Sequence, residues 1–159
     1  MTRTIYMGYL FFIGTQLLGA TFSVNLGISI QLGLKGADGR CMYPTQFFPE
    51  NVTLNLQSDG AGDLVGTWSS GKYSYQYMDR VGEASLKMNI RRRKEGLFYI
   101  GVNAYRPGNL INPIGNQTFG FEIDEPIKLP GSTSFSAQLS EDTCRNYLVV
   151  GLQGVKYEP

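Results

Sequence analysis

Apolar and polar positions alternate along most of this chain. In "TFSVNLGISIQLGL", Phe22, Val24, Leu26, Ile28, Ile30, Leu32 and Leu34 fall on one side. Thr21, Ser23, Asn25, Ser29 and Gln31 fall on the other. A period of two over that length predicts a half-buried β-strand, or two strands end to end. "NVTLNLQ" repeats the pattern with Val52, Leu54 and Leu56 inward, and "EASLKMNIR" with Leu86, Met88 and Ile90. "LFYIGVNAY" places Phe98, Ile100, Val102 and Ala104 on one face, and "TFGFEI", "TSFSAQL" and "YLVVGL" are shorter strands of the same kind. Turn formers separate these runs: "KGADGR", "SDGAGD", "RPGNLINPIGN" and "LPGS". The longest expected loop is 106–117. Short strands punctuated by Gly and Pro predict an all-β fold, an antiparallel β-sandwich of the Ig-like or jelly-roll-like kind.

The first twenty residues break the pattern. Arg3 precedes an almost wholly apolar run from Ile5 to Ala20, and no acidic residue occurs before Asp38. The run ends in small residues, with Leu18-Gly19-Ala20 or Thr21-Phe22-Ser23 as cleavage sites. This is the layout of a secretory signal peptide over 1–20, followed by one domain over 21–159. Thr15 and Gln16 interrupt the run, which disfavours a spanning helix of about 20 apolar residues. Without residues 1–20 the basic count falls from 14 to 13 against 13 acidic. A net charge of zero argues against bulk nucleic-acid binding, which needs uncompensated Lys and Arg.

The two cysteines, Cys41 and Cys144, read as one disulfide in an exported protein. The chain has no histidine, so Ser-His-Asp and Cys-His catalysis are excluded. Two cysteines without histidine also make no usual zinc site. The expectation is a protein with no catalytic role and no cofactor or metal.

"GTWSSGKYSYQYMD" contains most of a phosphate-binding loop, Gly66, Gly71 and Lys72, but Tyr73 stands where Ser or Thr would hold magnesium. A strand pattern follows, not a helix start. In that pattern Tyr73, Tyr75 and Tyr77 share one face, with Trp68 just upstream. Tyrosine suits a surface both apolar and wet, and such faces stack on sugars or anchor partners. The competing reading is that these rings fill the core. Arg91, Arg92, Arg93 and Lys94 form a basic hairpin tip that could pair with anionic sugars or headgroups, or simply be a solvated turn. Tyr99 and Tyr105 lie on the face opposite Phe98 and Ile100, with Arg106 beside them.

The remaining polar groups read as ordinary features. Asp38, Asp59 and Asp63 fit turns better than a calcium loop. Glu122 and Asp124 share one strand face, unlike the facing carboxylates of a glycosidase. Asn51-Val52-Thr53 and Asn116-Gln117-Thr118 are glycosylation sequons.

"TFSVNLGISIQLGLKGADGRC" resembles the start of bacterial chaperone–usher fimbrial subunits and adhesins. The resemblance implies that Val24, Leu26, Ile28 and Ile30 plug a neighbour's sandwich by β-strand addition, with Gly27 at the small position. One departure is the cysteine spacing: family disulfides close a short segment, whereas Cys144 lies near the far end. A self-contained sandwich with this segment as a long edge strand is the alternative. The leading expectation is a secreted adhesion protein, a fimbrial-type subunit or surface adhesin. Its partners would be a glycan or cell-surface receptor, or neighbouring subunits. A stand-alone lectin-like module, and a structural protein of an extracellular or virion assembly, are the other readings.

Overall fold

The computed structural model describes residues 19–122, 129 and 133–159. The apolar leader over 1–18 and the "IDEP" carboxylates after Glu122 lie outside the described residues. Twelve strands run through the rest: β1 (Thr21–Gln31), β2 (Leu34–Lys35), β3 (Cys41–Met42), β4 (Thr45–Asn55), β5 (Gln57–Ser58), β6 (Leu64–Ser69), β7 (Tyr73–Tyr77), β8 (Arg80–Arg92), β9 (Leu97–Tyr105), β10 (Gly115–Glu122), β11 (Ser134–Gln138) and β12 (Tyr147–Glu158). One sheet has the order β11-β12-β1-β4, and the larger has the order β10-β9-β8-β6-β5 with β7 also paired to β8. β2 and β3 form a separate two-stranded piece. Every pairing is antiparallel.

The alternation does what its period requires. Phe22, Val24, Leu26, Ile28 and Ile30 from β1 meet Leu86, Met88 and Ile90 from β8 and Phe98, Ile100 and Val102 from β9 in one buried cluster. Phe22 stacks on Phe98 with ring centroids 5.4 Å apart, which joins the two sheets face to face. A Cβ on Gly82 would lie 2.6 Å from Ile30 Cγ2, so β8 crosses the smaller sheet where only glycine fits.

β1 is neither a free extension nor an edge strand. It lies between β12 and β4 and pairs with both from Thr21 to Gln31, with one register shift against β12 between Asn25 and Leu26. Val24, Leu26, Ile28 and Ile30 are buried in this chain's own core, and both backbone edges of β1 are used within the chain. Ala20 is buried too, and its carbonyl accepts from Leu56 N–H at 2.8 Å. Cleavage after Ser23 would therefore remove Phe22 from the core; cleavage after Ala20 would keep Phe22 and lose only Ala20 and its bond to Leu56.

One strand runs further than its alternating segment, and one loop is shorter than expected. "TQFFPE" belongs to β4 although Pro49 interrupts it. β4 is an edge strand, where proline's missing donor faces away from the ladder. The loop after β9 is shorter than 106–117, because β10 begins at Gly115.

Cys41 and Cys144 form the expected disulfide, with Cα atoms 5.6 Å apart and a sequence separation of 103. No helix among the described residues is long and apolar enough to cross a membrane.

Candidate functional site

The tyrosine strand packs inward. Tyr73 is buried, Tyr75 is half-buried against the core, and Trp68 packs there as well. Tyr73 donates its hydroxyl to a Glu50 carboxylate oxygen at 2.9 Å. Burial, and then Glu50, push its phenol pKa up. Of the four aromatics read as a surface, only Tyr77 is well exposed. β7 and β6 act as one strand broken by Ser70-Gly71-Lys72, so no helix follows the glycines and no phosphate cradle forms.

The basic run does form a hairpin tip between β8 and β9, closed by Gly96 N–H to Arg93 O at 2.9 Å, with Gly96 at φ 94°. Its cations point different ways. Arg91 Nη1 reaches Asp63 at 2.8 Å and Asp59 at 3.1 Å, and the Arg91 hydrogen bond lowers the Asp63 pKa. These aspartates serve the turn, as the sequence suggested, and also hold Arg91. Arg92 lies over the rings of Phe98 and Tyr157, at 5.9 and 5.2 Å. Arg93 lies over Tyr99 at 5.4 Å. Lys94 donates its backbone N–H to Asp63.

Two surfaces remain open. The first is the outer face of the larger sheet. Strand register sets its rows: Val65, Arg91, Tyr99 and Gly120; then Thr67, Asn89, Gly101 and Thr118; then Ser69, Lys87, Asn103 and Asn116. Alternate residues face one way, so successive rows stand about 6.6 Å apart. Gly101 leaves a gap in the middle row. Around it Thr67, Asn89, Arg91 and Tyr99 enclose a depression of about 480 Å³. A second depression of about 440 Å³ lies further along, where Pro107, Gly108 and Leu110 meet Ser69, Ser85 and Lys87. Tyr105 lies on this face but is buried, so it offers no ring. These three rows carry hydroxyls, amides and cations; the carboxylates of the face stand at its margins, Asp59 and Asp63 beside Arg91, Glu122 beyond Gly120 on β10, and Glu83 beyond Ser85 on β8, where it pairs with Lys72.

The second surface lies at the disulfide end of the sandwich. Leu34, Met42, Tyr43 and Pro44 on one side and Tyr77 and Met78 on the other border a groove of about 700 Å³. Sequence reasoning missed it because Met78-Asp79 is a two-residue turn with no Gly, Asn or Pro to announce it. Met78 has φ 53° and a side chain 73% exposed. Positive φ at such a turn normally selects Gly, Asn or Asp.

The base of this end is rigid. Buried Asn146 accepts from Gly33 N–H at 2.9 Å and donates to Val81 O at 3.3 Å. Arg80 pairs with Asp142 at 2.8 Å and donates to Cys144 O at 3.0 Å. The chain is thus a disulfide-closed antiparallel β-sandwich with one polar sheet face and one apolar end groove. It matches no family model, and neither the curated proteins nor the solved structures contain a match.

Proposed function

We propose that this protein is a non-catalytic recognition module, secreted or displayed at a cell surface, that binds glycans on the outer face of its larger sheet. One observation carries this reading: a glycine-floored depression among central rows of hydroxyls, amides and cations on the sheet face, with Tyr99 at its border. Threonine, asparagine and serine can match sugar hydroxyls as donors and acceptors. Lys87 and Arg93 have no ion-pair partner among the described residues, which favours an anionic sugar such as a uronic or sialic acid. The spaced rows suit an oligosaccharide better than a single sugar. Lectin-like recognition is therefore favoured over polymerisation through β1, which would have to leave two hydrogen-bonded neighbours.

The test is a glycan array followed by calorimetric titration of the best oligosaccharide. Gly101→Val closes the depression without strain: a Cβ there meets nothing nearer than Thr118 Oγ1 at 3.8 Å. Binding is expected to be lost in Gly101→Val and weakened about tenfold in Lys87→Ala. A control change on the other sheet, Phe47→Ser, should leave it intact. No binding on the array, or full binding by Gly101→Val, overturns the proposal.

A further inference from the structure

The groove at the disulfide end is independent of the glycan face. We infer that it is the contact for a second copy of this chain. Eight large hydrophobic side chains are exposed among the described residues, and four of them, Met42, Tyr43, Tyr77 and Met78, border this one groove. A concentration of apolar groups at one place on a monomer marks an interaction surface. Met78 adds a second sign. Its backbone sits in the left-handed region, which is disfavoured for a long side chain, and the consequence is an apolar knob in water. Strain that projects an unpacked side chain gains nothing within the single chain.

The charges identify the occupant. Lys35 and Asp79 are the charged side chains that line the groove, and neither has an ion-pair partner among the described residues. Lys35 stands with the β2–β3 piece and Asp79 in the β7–β8 turn. A surface with one unpaired cation and one unpaired anion on different walls is complementary to itself. In a two-fold contact, residue i meets j while j meets i. Lys35 of each copy then faces Asp79 of the other, and Met78 of each enters the other's groove. An anionic or cationic partner would leave one of the two charges opposed.

Sedimentation velocity from about 1 µM to about 1 mM covers the range of a weak isologous contact. A concentration-dependent monomer–dimer equilibrium is expected. Lys35→Glu or Asp79→Lys alone should raise the dimer Kd about tenfold or more, and the two together should restore it. Both positions are exposed, so thermal melts should show the variants folded. Met78→Gly removes the knob and the positive-φ strain together. It should melt higher than the parent while dimerising more weakly, which a merely structural role for Met78 would not produce. A chain monomeric throughout overturns the inference. So does a dimer indifferent to these changes, or a charge-swapped pair no better than its singles. A monomer that binds zwitterionic phospholipid vesicles through Met78 would assign the groove to lipid and also overturn it.

Discussion

The Tyr73 hydroxyl meets the Glu50 carboxylate at 2.9 Å, linking the curled end of the larger sheet to the edge strand of the smaller one. Phe48 packs on the same ring with centroids 5.4 Å apart. A side chain that could have been a ligand platform instead closes one side of the sandwich.

Tyr73→Phe keeps the ring and removes the donor from Glu50. A loss of about 1–2 kcal/mol in denaturant unfolding is expected, the cost of leaving a partly buried acceptor unpaired. The pH dependence has a definite sign. The folded pKa of Tyr73 is raised above its ordinary 10.0, chiefly by burial. Its contribution is therefore present below pH 10.0 and falls as pH rises beyond that value. Tyr73→Phe should show a shallower alkaline decline; an unchanged slope would trace the decline to other groups.

Acid should loosen the hairpin tip. Arg91 holds the Asp63 pKa below 3.8, so this interaction is intact above pH 3.8 and is lost as pH falls through the lower folded value. Because the pair is solvent-exposed, its effect on global stability is small. The expected readout is local: the protection of the Lys94 amide against exchange, relative to its intrinsic rate, falls in Asp63→Ala at neutral pH, and in the parent only in acid. Equal exchange in both proteins at neutral pH would contradict the role given to Asp63.

The Asn146 side chain ties its own segment to two that are distant in sequence, accepting from Gly33 N–H and Arg80 Nη2 and donating to Val81 O. Asn146→Ala strands the buried Gly33 N–H, and a loss of roughly 2–4 kcal/mol is expected from these combined bonds. Removing the nearby disulfide with Cys41→Ser and Cys144→Ser should cost roughly 4–5 kcal/mol through the freed unfolded chain. Thermal or urea unfolding measures both. A silent Asn146→Ala would show that solvent can replace the network.

Removing β1 should abolish folding. A chain starting at Leu34 loses Phe22, Val24, Leu26, Ile28 and Ile30 from the core and separates β12 from β4. Even Phe22→Ala alone should cost about 3–5 kcal/mol. Circular dichroism and proteolysis of the truncated chain provide the measurement. A folded, protease-resistant truncation that regains stability on adding a peptide of residues 21–33 would revive strand donation.

Local alternation of apolar and polar residues was enough to specify the class of fold and most of the core. A period of two forces successive side chains to opposite faces, so Leu86, Met88, Ile90, Phe98, Ile100 and Val102 could only share a buried side once they formed strands. The two cysteines allowed a single pairing, Cys41 with Cys144, and the fold brings them together. Alternation does not say which side of a strand meets the other sheet when both sides carry rings or polar groups. Tyr73 packed inward because β4 came to lie beside it with Phe48 and Glu50. The neighbours of β1 were likewise beyond local pattern, since its partners β4 and β12 lie at opposite ends of the domain. Only the tertiary structure set Gly101 among Thr67, Asn89 and Thr118, and Met78 opposite Met42 and Tyr43. Each of those meetings depends on strand register and on a turn with no local signal, and register is fixed by the packing of the whole sandwich.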